Sequence, residues 1–277
     1  MDKQVKHQKW SFLQTTVSLA AGILIFFPVL WLIMSSFKSS GELFSYPLSF
    51  FPEQFSLENY QNVIENGFFQ YIYNSFFIAV VGTLITVVIN SMCGYALAIY
   101  RKQLGYTGIV FGVFLLGTLI PSEALIISQF TVISFLGLYN SLLGVILPVV
   151  TTTTGIFMYR QFFICIPDSF LEAARMDGAS EFRIFMSIMI PLAKPTTITL
   201  IIFSFMWRWN DYILPLLVLS RQNRYTIQIA IRNYIGAWNT DWQSILAASV
   251  ISIIPVAILY IFLQKYIVGT NVSSGNK

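Results

Sequence analysis

Charge is what this chain has least of. Only 10% of its 277 residues are Asp, Glu, Lys or Arg, against about 25% in soluble domains. Histidine occurs once, at His7, and cysteine twice, at Cys93 and Cys165. That scarcity excludes a disulfide framework and a zinc site. It also leaves no nucleophile–base pair for an intramembrane enzyme. Both cysteines lie in or beside apolar stretches and read as packing residues, and His7 reads as a tail residue. No Gly-x-x-x-x-Gly-Lys-Ser/Thr occurs, so the chain does not cradle ATP phosphates by that motif. There is no internal repeat or low-complexity tract, and 1–277 reads as one transmembrane domain.

What the chain has instead is apolar length. It is 56% hydrophobic, with a mean hydropathy of +0.70. A helix needs about 20 apolar residues to cross the hydrocarbon core. Six segments qualify, at 12–36, 71–98, 105–127, 141–162, 195–218 and 243–266. The expected fold class is therefore all-α, a polytopic membrane protein of six transmembrane helices. The first run is too long for a signal peptide, since no charge lies between Lys9 and Lys38. Arg208 and Asp211 interrupt the fifth.

With the N-terminus inside, the inner segments hold eleven Lys and Arg and the outer segments four. The positive-inside rule then places both termini in the cytoplasm. The basic pI near 9.0 follows from this bias and calls for no nucleic acid. Pro28, Pro121, Pro148, Pro215 and Pro255 fall within spans, where proline is common. Gly108 and Gly112 form a G-x-x-x-G pair that permits close helix approach. The Thr151–Thr154 run is expected to bond back to its own helix carbonyls.

The remaining charge is concentrated. Eight charges run from Arg160 to Lys194, seven of them inside an inner loop at 163–194. Ser169-x-x-Glu172 has the form of a capping box, which predicts a helix starting at Ser169. Gly178 predicts its stop. A second helix is expected from Ser180 to Ile190, with Phe182, Phe185, Met186 and Met189 on one apolar face. Such an element could anchor the loop at the membrane surface or receive a soluble partner.

The spacing favours a partner. Glu172-Ala173-Ala174, three residues, Gly178, nine residues, Ile188-x-Ile190-Pro191 resembles the EAA signature of binding-protein-dependent ABC importer permeases. Ile190 stands where that signature has Leu. Lys194-Pro195 follows, and Trp209-Asn210-Asp211-Tyr212 is similar to a segment of the fifth span in carbohydrate permeases. Asn59-Tyr60, Asn74-Ser75 and Gln264-Lys265-Tyr266 resemble the subgroup similar to the second maltose permease subunit. The tail from Gly269 to Lys277 resembles that subgroup's Gly-rich end only loosely.

The resemblance implies one of two permease subunits of an ATP-driven importer for a carbohydrate, with an oligosaccharide as the expected cargo. A non-sugar solute such as a phosphate ester is the alternative, and an ion-coupled carrier a further one. The implied partners are a second permease subunit, a cytoplasmic ATPase dimer, an extracellular solute-binding protein and membrane lipid, in a prokaryotic inner membrane. ATP and Mg would belong to the ATPase, with no cofactor in this chain. Glu172, Ala173, Ala174, Arg175, Asp177, Gly178 and Ala179 are the expected ATPase-coupling residues. Small Ala173 and Ala174 would let a partner approach. Glu123, Trp209, Asn210 and Asp211 are the candidate path or substrate residues, with Asn90 and Gln129 behind them. Arg208 and Asp211, three apart, are expected to face a cavity or each other, because charge in a membrane costs at least ~2.5 kcal/mol per group.

Overall fold

The computed structural model describes residues 2–236 and 238–268. The tail resemblance from Gly269 onward lies outside them, as does the His7 side chain. Among the described residues the only strand-like feature is one isolated bridge, Ile235 to Thr240, and the rest is helix and connecting loop.

Three helices are long and apolar enough to cross a bilayer alone: Asp2–Ser35 (its apolar part Gln14–Ser35), Phe68–Ile99 and Trp242–Val268. Three bent pairs bring the count of candidate spans to as many as six. The expected spans at 105–127 and 195–218 are each broken into two helices. Thr107–Gly117 stops at Thr118, and Ser122–Phe135 restarts after Pro121 at 102° to it. Pro121 has no N–H to donate, and its extended ψ of 135° turns the chain. The 141–162 run is bent by 45°, between Leu142–Val149 and Thr153–Ile164. The 195–218 run breaks at Asp211, which separates Lys194–Asn210 from Ile213–Val218.

The chain divides into two compact units. One takes Met1–Phe68 and Ile231–Ile253, the other Phe69–Ala230 and Ile254–Lys277. In the first, the apolar stretch Gln14–Ser35 is largely exposed and meets protein toward its C-terminal end, where Phe27 and Trp31 lie against Phe50 and Ser35 is buried. Lys38 is buried beside it. Its ammonium lies 5.0 Å from the Trp31 ring and bonds the Ser49 carbonyl and hydroxyl. Asn59 fixes the same corner by donating to Ser36 O at 2.8 Å and Lys38 O at 2.9 Å.

The second unit carries both candidate sites. Its largest core joins Tyr95 and Ala98 of Phe68–Ile99, Tyr159 and Phe163 of Thr153–Ile164, and Leu200 of Lys194–Asn210 to the 168–193 segment. Leu171, Ala174, Ile184, Phe185, Met189 and Ala193 supply that segment's share. Cys93 packs beside Phe111 and Ile156, as expected. Cys165 does not: it ends the Thr153–Ile164 helix as an exposed residue, because the helix stops one residue before it.

Candidate functional site

The charged loop folds as a helix, a turn and a second helix. The first helix is Asp168–Met176, and its start differs from the capping-box reading. Pro167 stands at the N-cap and Asp168 is the first helical residue, so Ser169 caps nothing. Asp168 is held instead by Lys102 at 2.5 Å, with Arg101 at 4.0 Å. The bond from the Lys102 ammonium draws its carboxyl below the usual carboxylate range.

The stop is where Gly178 predicts it. Gly178 has φ +73°, a conformation glycine adopts without the Cβ clash other residues meet. Gly178 N–H donates to Arg175 O and Ala179 N–H to Ala174 O, each at 3.0 Å, which is the Schellman pattern of closing bonds. Ser180 then caps the next helix by accepting from Arg183 N–H at 3.3 Å.

The second helix, Glu181–Leu192, is not regular. Phe185–Met189 forms a π-helical turn between Glu181–Ile184 and Ile190–Leu192. The wider period moves the apolar face. Ile184, Phe185 and Met189 are buried, whereas Phe182 and Met186, expected beside them, are exposed. Together with Phe170 and Met176, the latter 83% exposed, they leave the loop with apolar side chains that no part of the described chain covers.

The expected coupling residues divide by direction. Glu172, Ala173 and Asp177 point outward, and Glu172 has no hydrogen-bond or ion-pair partner among the described residues. Ala174 does not offer itself to a partner. It is buried in the core with Leu171, three residues before it on the same helix face. Ala179 is half-buried against the same core. Arg175 Nε donates to Glu181 Oε1 at 2.7 Å, and Tyr95 Oη to Glu181 Oε2 at 3.0 Å. The Arg175 bond, helped by Tyr95, holds the Glu181 carboxyl below its ordinary range against the opposing effect of burial.

Ala193 is the joint to the next element. There the chain turns by 77° from Glu181–Leu192 into Lys194–Asn210. The far end of Lys194–Asn210 borders a cavity of about 340 Å³, lined by Ser122, Glu123, Gln129, Thr152, Trp207, Arg208 and Asp211, with apolar neighbours.

Arg208 is 6% exposed and has no carboxylate within ion-pair distance among the described residues. Its Nη1 bonds the Ser204 carbonyl at 3.2 Å and the Ser204 hydroxyl. Its Nη2 bonds Thr86 Oγ1 and Val149 O, each at 2.7 Å. Val149 ends the turn before the break at 150–152, so Arg208 bonds a carbonyl at the edge of that break. Asp211, past the helix end, faces the backbone N–H groups of Tyr212, Ile213 and Leu214. The two charges share the cavity without forming an ion pair.

Of the sequence candidates, Glu123, Gln129 and Asp211 meet on this cavity. Trp209 and Asn210 do not. Trp209 is 1% exposed and stacks on Phe205 at 5.6 Å, while Asn210 bonds Met206 O at 2.9 Å on the outer helix face. Helical turning carries Trp209 about 100° and Asn210 about 200° around the axis from Arg208, in the direction away from Trp207. Asn90 is buried behind the wall, bonding Thr152 through both its amide atoms. The threonine run therefore bonds outward: Thr152 to Asn90, and Thr153 to Phe114 O at 3.1 Å. Ser122, Thr152 and Trp207 are wall residues that sequence reasoning missed. The break after Gly117 was the available signal for Ser122. Among the described residues nothing lies within 4 Å of a methyl group added at Gly108 or Gly112.

Residues 90–269 match the family model of the binding-protein-dependent transport system inner membrane component. The chain belongs to that family. It is 32% identical over 250 residues to the arabinooligosaccharides transport system permease protein AraQ of Bacillus subtilis, covering 89% of this chain and 88% of AraQ. It is 29% identical over 271 residues to the sn-glycerol-3-phosphate transport system permease protein UgpE of Escherichia coli, covering 94% and 96%. Among solved structures, one chain of a bacterial ABC transporter involved in the import of the acidic polysaccharide alginate superposes with a TM-score of 0.81. That superposition covers 94% of this chain and 96% of the other at 23% identity. The chain is thus an all-α membrane permease subunit with the ABC importer permease fold, and its 168–193 loop lies within the residues that the family model matches.

Proposed function

We propose that this chain forms half of the translocation path of an ATP-driven carbohydrate importer, with an oligosaccharide as cargo. The observation that carries the reading is mechanical. The outward-facing loop around Glu172 and the cavity at Asp211 are joined through a single bent segment, Glu181–Leu192 and Lys194–Asn210. Both ends are packed: the near end into the core of Leu171 and Met189, the far end through Arg208. A push on the loop therefore reaches the cavity wall through packed helix.

A cytoplasmic ATPase dimer supplies the push. It docks over Phe170, Met176, Phe182 and Met186, with Glu172, Ala173 and Asp177 among them. It carries ATP and Mg and does the hydrolysis; this chain contributes no catalytic group. A second, related permease subunit completes the path, and an extracellular binding protein delivers the cargo. Six spans, near 12–36, 71–98, 105–135, 141–164, 194–218 and 242–266, set both termini and the loop on the cytoplasmic side of a prokaryotic inner membrane. The name of AraQ supports an oligosaccharide. The name of UgpE keeps a phosphate ester as the second reading.

The test is reconstitution of the complex in vesicles with its binding protein. Glu172→Lys is expected to abolish binding-protein-stimulated ATP hydrolysis while the permease pair still assembles. Full stimulated hydrolysis in that variant would remove the loop as the joint.

A further inference from the structure

The cavity's charges bear on which cargo it accepts. Arg208 is its cation, and bidentate recognition of a carboxylate or phosphate needs two free parallel N–H groups. Arg208 has none to offer. Its terminal nitrogens donate to the Ser204 carbonyl and hydroxyl, Thr86 Oγ1 and Val149 O, which engages all four of their N–H groups. The remaining Nε lies against Gly82, where a side-chain methyl would overlap it, and has no hydrogen-bond partner.

The carboxylates are different. Glu123 is exposed at the cavity and has no hydrogen-bond or ion-pair partner among the described residues. Asp211 is half-buried; the backbone N–H groups of Tyr212, Ile213 and Leu214 face it, and Arg208 is near without forming an ion pair with it. Two carboxylates against one guanidinium leave the wall with a net charge of minus one. A carboxylate only accepts hydrogen bonds, so its natural guests are hydroxyl and ammonium groups. Ser122 and Gln129 add neutral donors and acceptors, and Trp207 a flat apolar face.

We propose that this cavity is a selectivity site for uncharged, hydroxyl-rich cargo, in which Glu123 and Asp211 turn away anionic sugars such as uronides and sugar phosphates. Like charge set against like charge is how a site refuses the wrong ligand. The proposal rests on the carbohydrate-importer reading and selects between its two cargo classes.

The test needs no knowledge of the cargo. In the whole importer complex, Ser122→Cys is introduced into a Cys93→Ser, Cys165→Ser chain. It is then reacted with the trimethylammonium and the sulfonate forms of ethyl methanethiosulfonate. After division by their rates with a free thiol, the cationic reagent is expected to react about tenfold faster. That preference should collapse when Glu123→Gln and Asp211→Asn are combined, and shrink in high salt. Ile126→Cys, on the same wall, repeats the measurement if Ser122→Cys fails to assemble. A faster sulfonate reaction, or a ratio indifferent to the two carboxylates, overturns the proposal. Uptake by the unmodified complex of a neutral trisaccharide and of a uronide of equal length is measured in parallel. If neither is taken up, the carbohydrate reading fails and the charge measurement still stands. If the uronide is taken up as readily as the neutral sugar, the selectivity proposal fails and the importer reading survives.

Discussion

Gly82 lies directly beneath Arg208, so close that a methyl group on Gly82 would overlap the guanidinium's Nε and Cδ. The pairing sets what the Phe68–Ile99 helix can tolerate there. Arg208 cannot retreat, since Ser204, Thr86 and Val149 hold its other end. Gly82→Ala is therefore expected to destabilise the permease by about 1–3 kcal/mol, the usual cost of overpacking. Gly108→Ala provides the contrast, with nothing within 4 Å of an added methyl and a helix-propensity gain of up to about 1 kcal/mol. Thermal unfolding in detergent reads the difference. Equal midpoints for the two variants would show that Arg208 is not fixed where the structure has it.

The two alanines of the loop signature should behave oppositely. Ala174 is buried among Leu171, Ile184 and Phe185, whereas Ala173 is exposed. Ala174→Leu forces extra methyl groups into a packed core and is expected to cost about 1–3 kcal/mol. Ala173→Leu should leave the unfolding midpoint within about 0.5 kcal/mol while lowering stimulated ATP hydrolysis in the complex. The pattern is refuted if Ala173→Leu is the variant that unfolds early.

Gly178 gives a third expectation. A non-glycine residue at φ +73° costs about 1–2 kcal/mol, and Asn less than Ala or Val. Gly178→Val should loosen the turn between Asp168–Met176 and Glu181–Leu192, and Gly178→Asn should recover much of the loss. Proteolysis within 175–181 measures it, with cleavage rates ordered Val, Ala, Asn, Gly from fastest to slowest. An order that follows side-chain size alone would remove the backbone explanation.

How far the sequence speaks can be judged from particular residues. Long apolar runs give two of the unbroken helices within a few residues and the apolar part of the third, whose helix begins ten residues earlier at Asp2. The Gly178 turn is equally legible, since only the backbone decides it. Ser169 was misread because Pro167 and the Lys102–Asp168 bond begin the helix earlier, and Lys102 is distant in sequence. A 3.6-residue period puts Phe182 and Met186 on one apolar face with Phe185 and Met189, a face that the π-helical turn at Phe185–Met189 divides into buried and exposed parts. Trp209 belongs to the Trp-Asn-Asp-Tyr segment that carries the resemblance, yet the cavity uses Trp207. Which side of a helix faces a cavity depends on the helices opposite, and no local pattern encodes them.

Glu181 carries the pH dependence. Its folded carboxyl titrates below the unfolded value, chiefly through the bond from Arg175. A depressed acid contributes stability that is present above its unfolded pKa and lost as pH falls through the folded one. The loop is therefore expected to keep its full protection from neutral pH down to the ordinary carboxylate range, and to lose it progressively from there as pH falls toward the depressed folded value. Asp168, depressed by Lys102, works in the same direction. Hydrogen-exchange protection factors for 171–184, which already remove the intrinsic pH dependence of exchange, provide the measurement. In Glu181→Gln the Arg175 bond loses its charge, so protection should be lower at neutral pH and nearly flat on acidification apart from the Asp168 contribution. Glu181→Gln with Asp168→Asn should remove what slope remains. An acid-induced loss that persists undiminished in the double variant would place the titrating group elsewhere and detach the loop's stability from the Arg175–Glu181–Tyr95 contact.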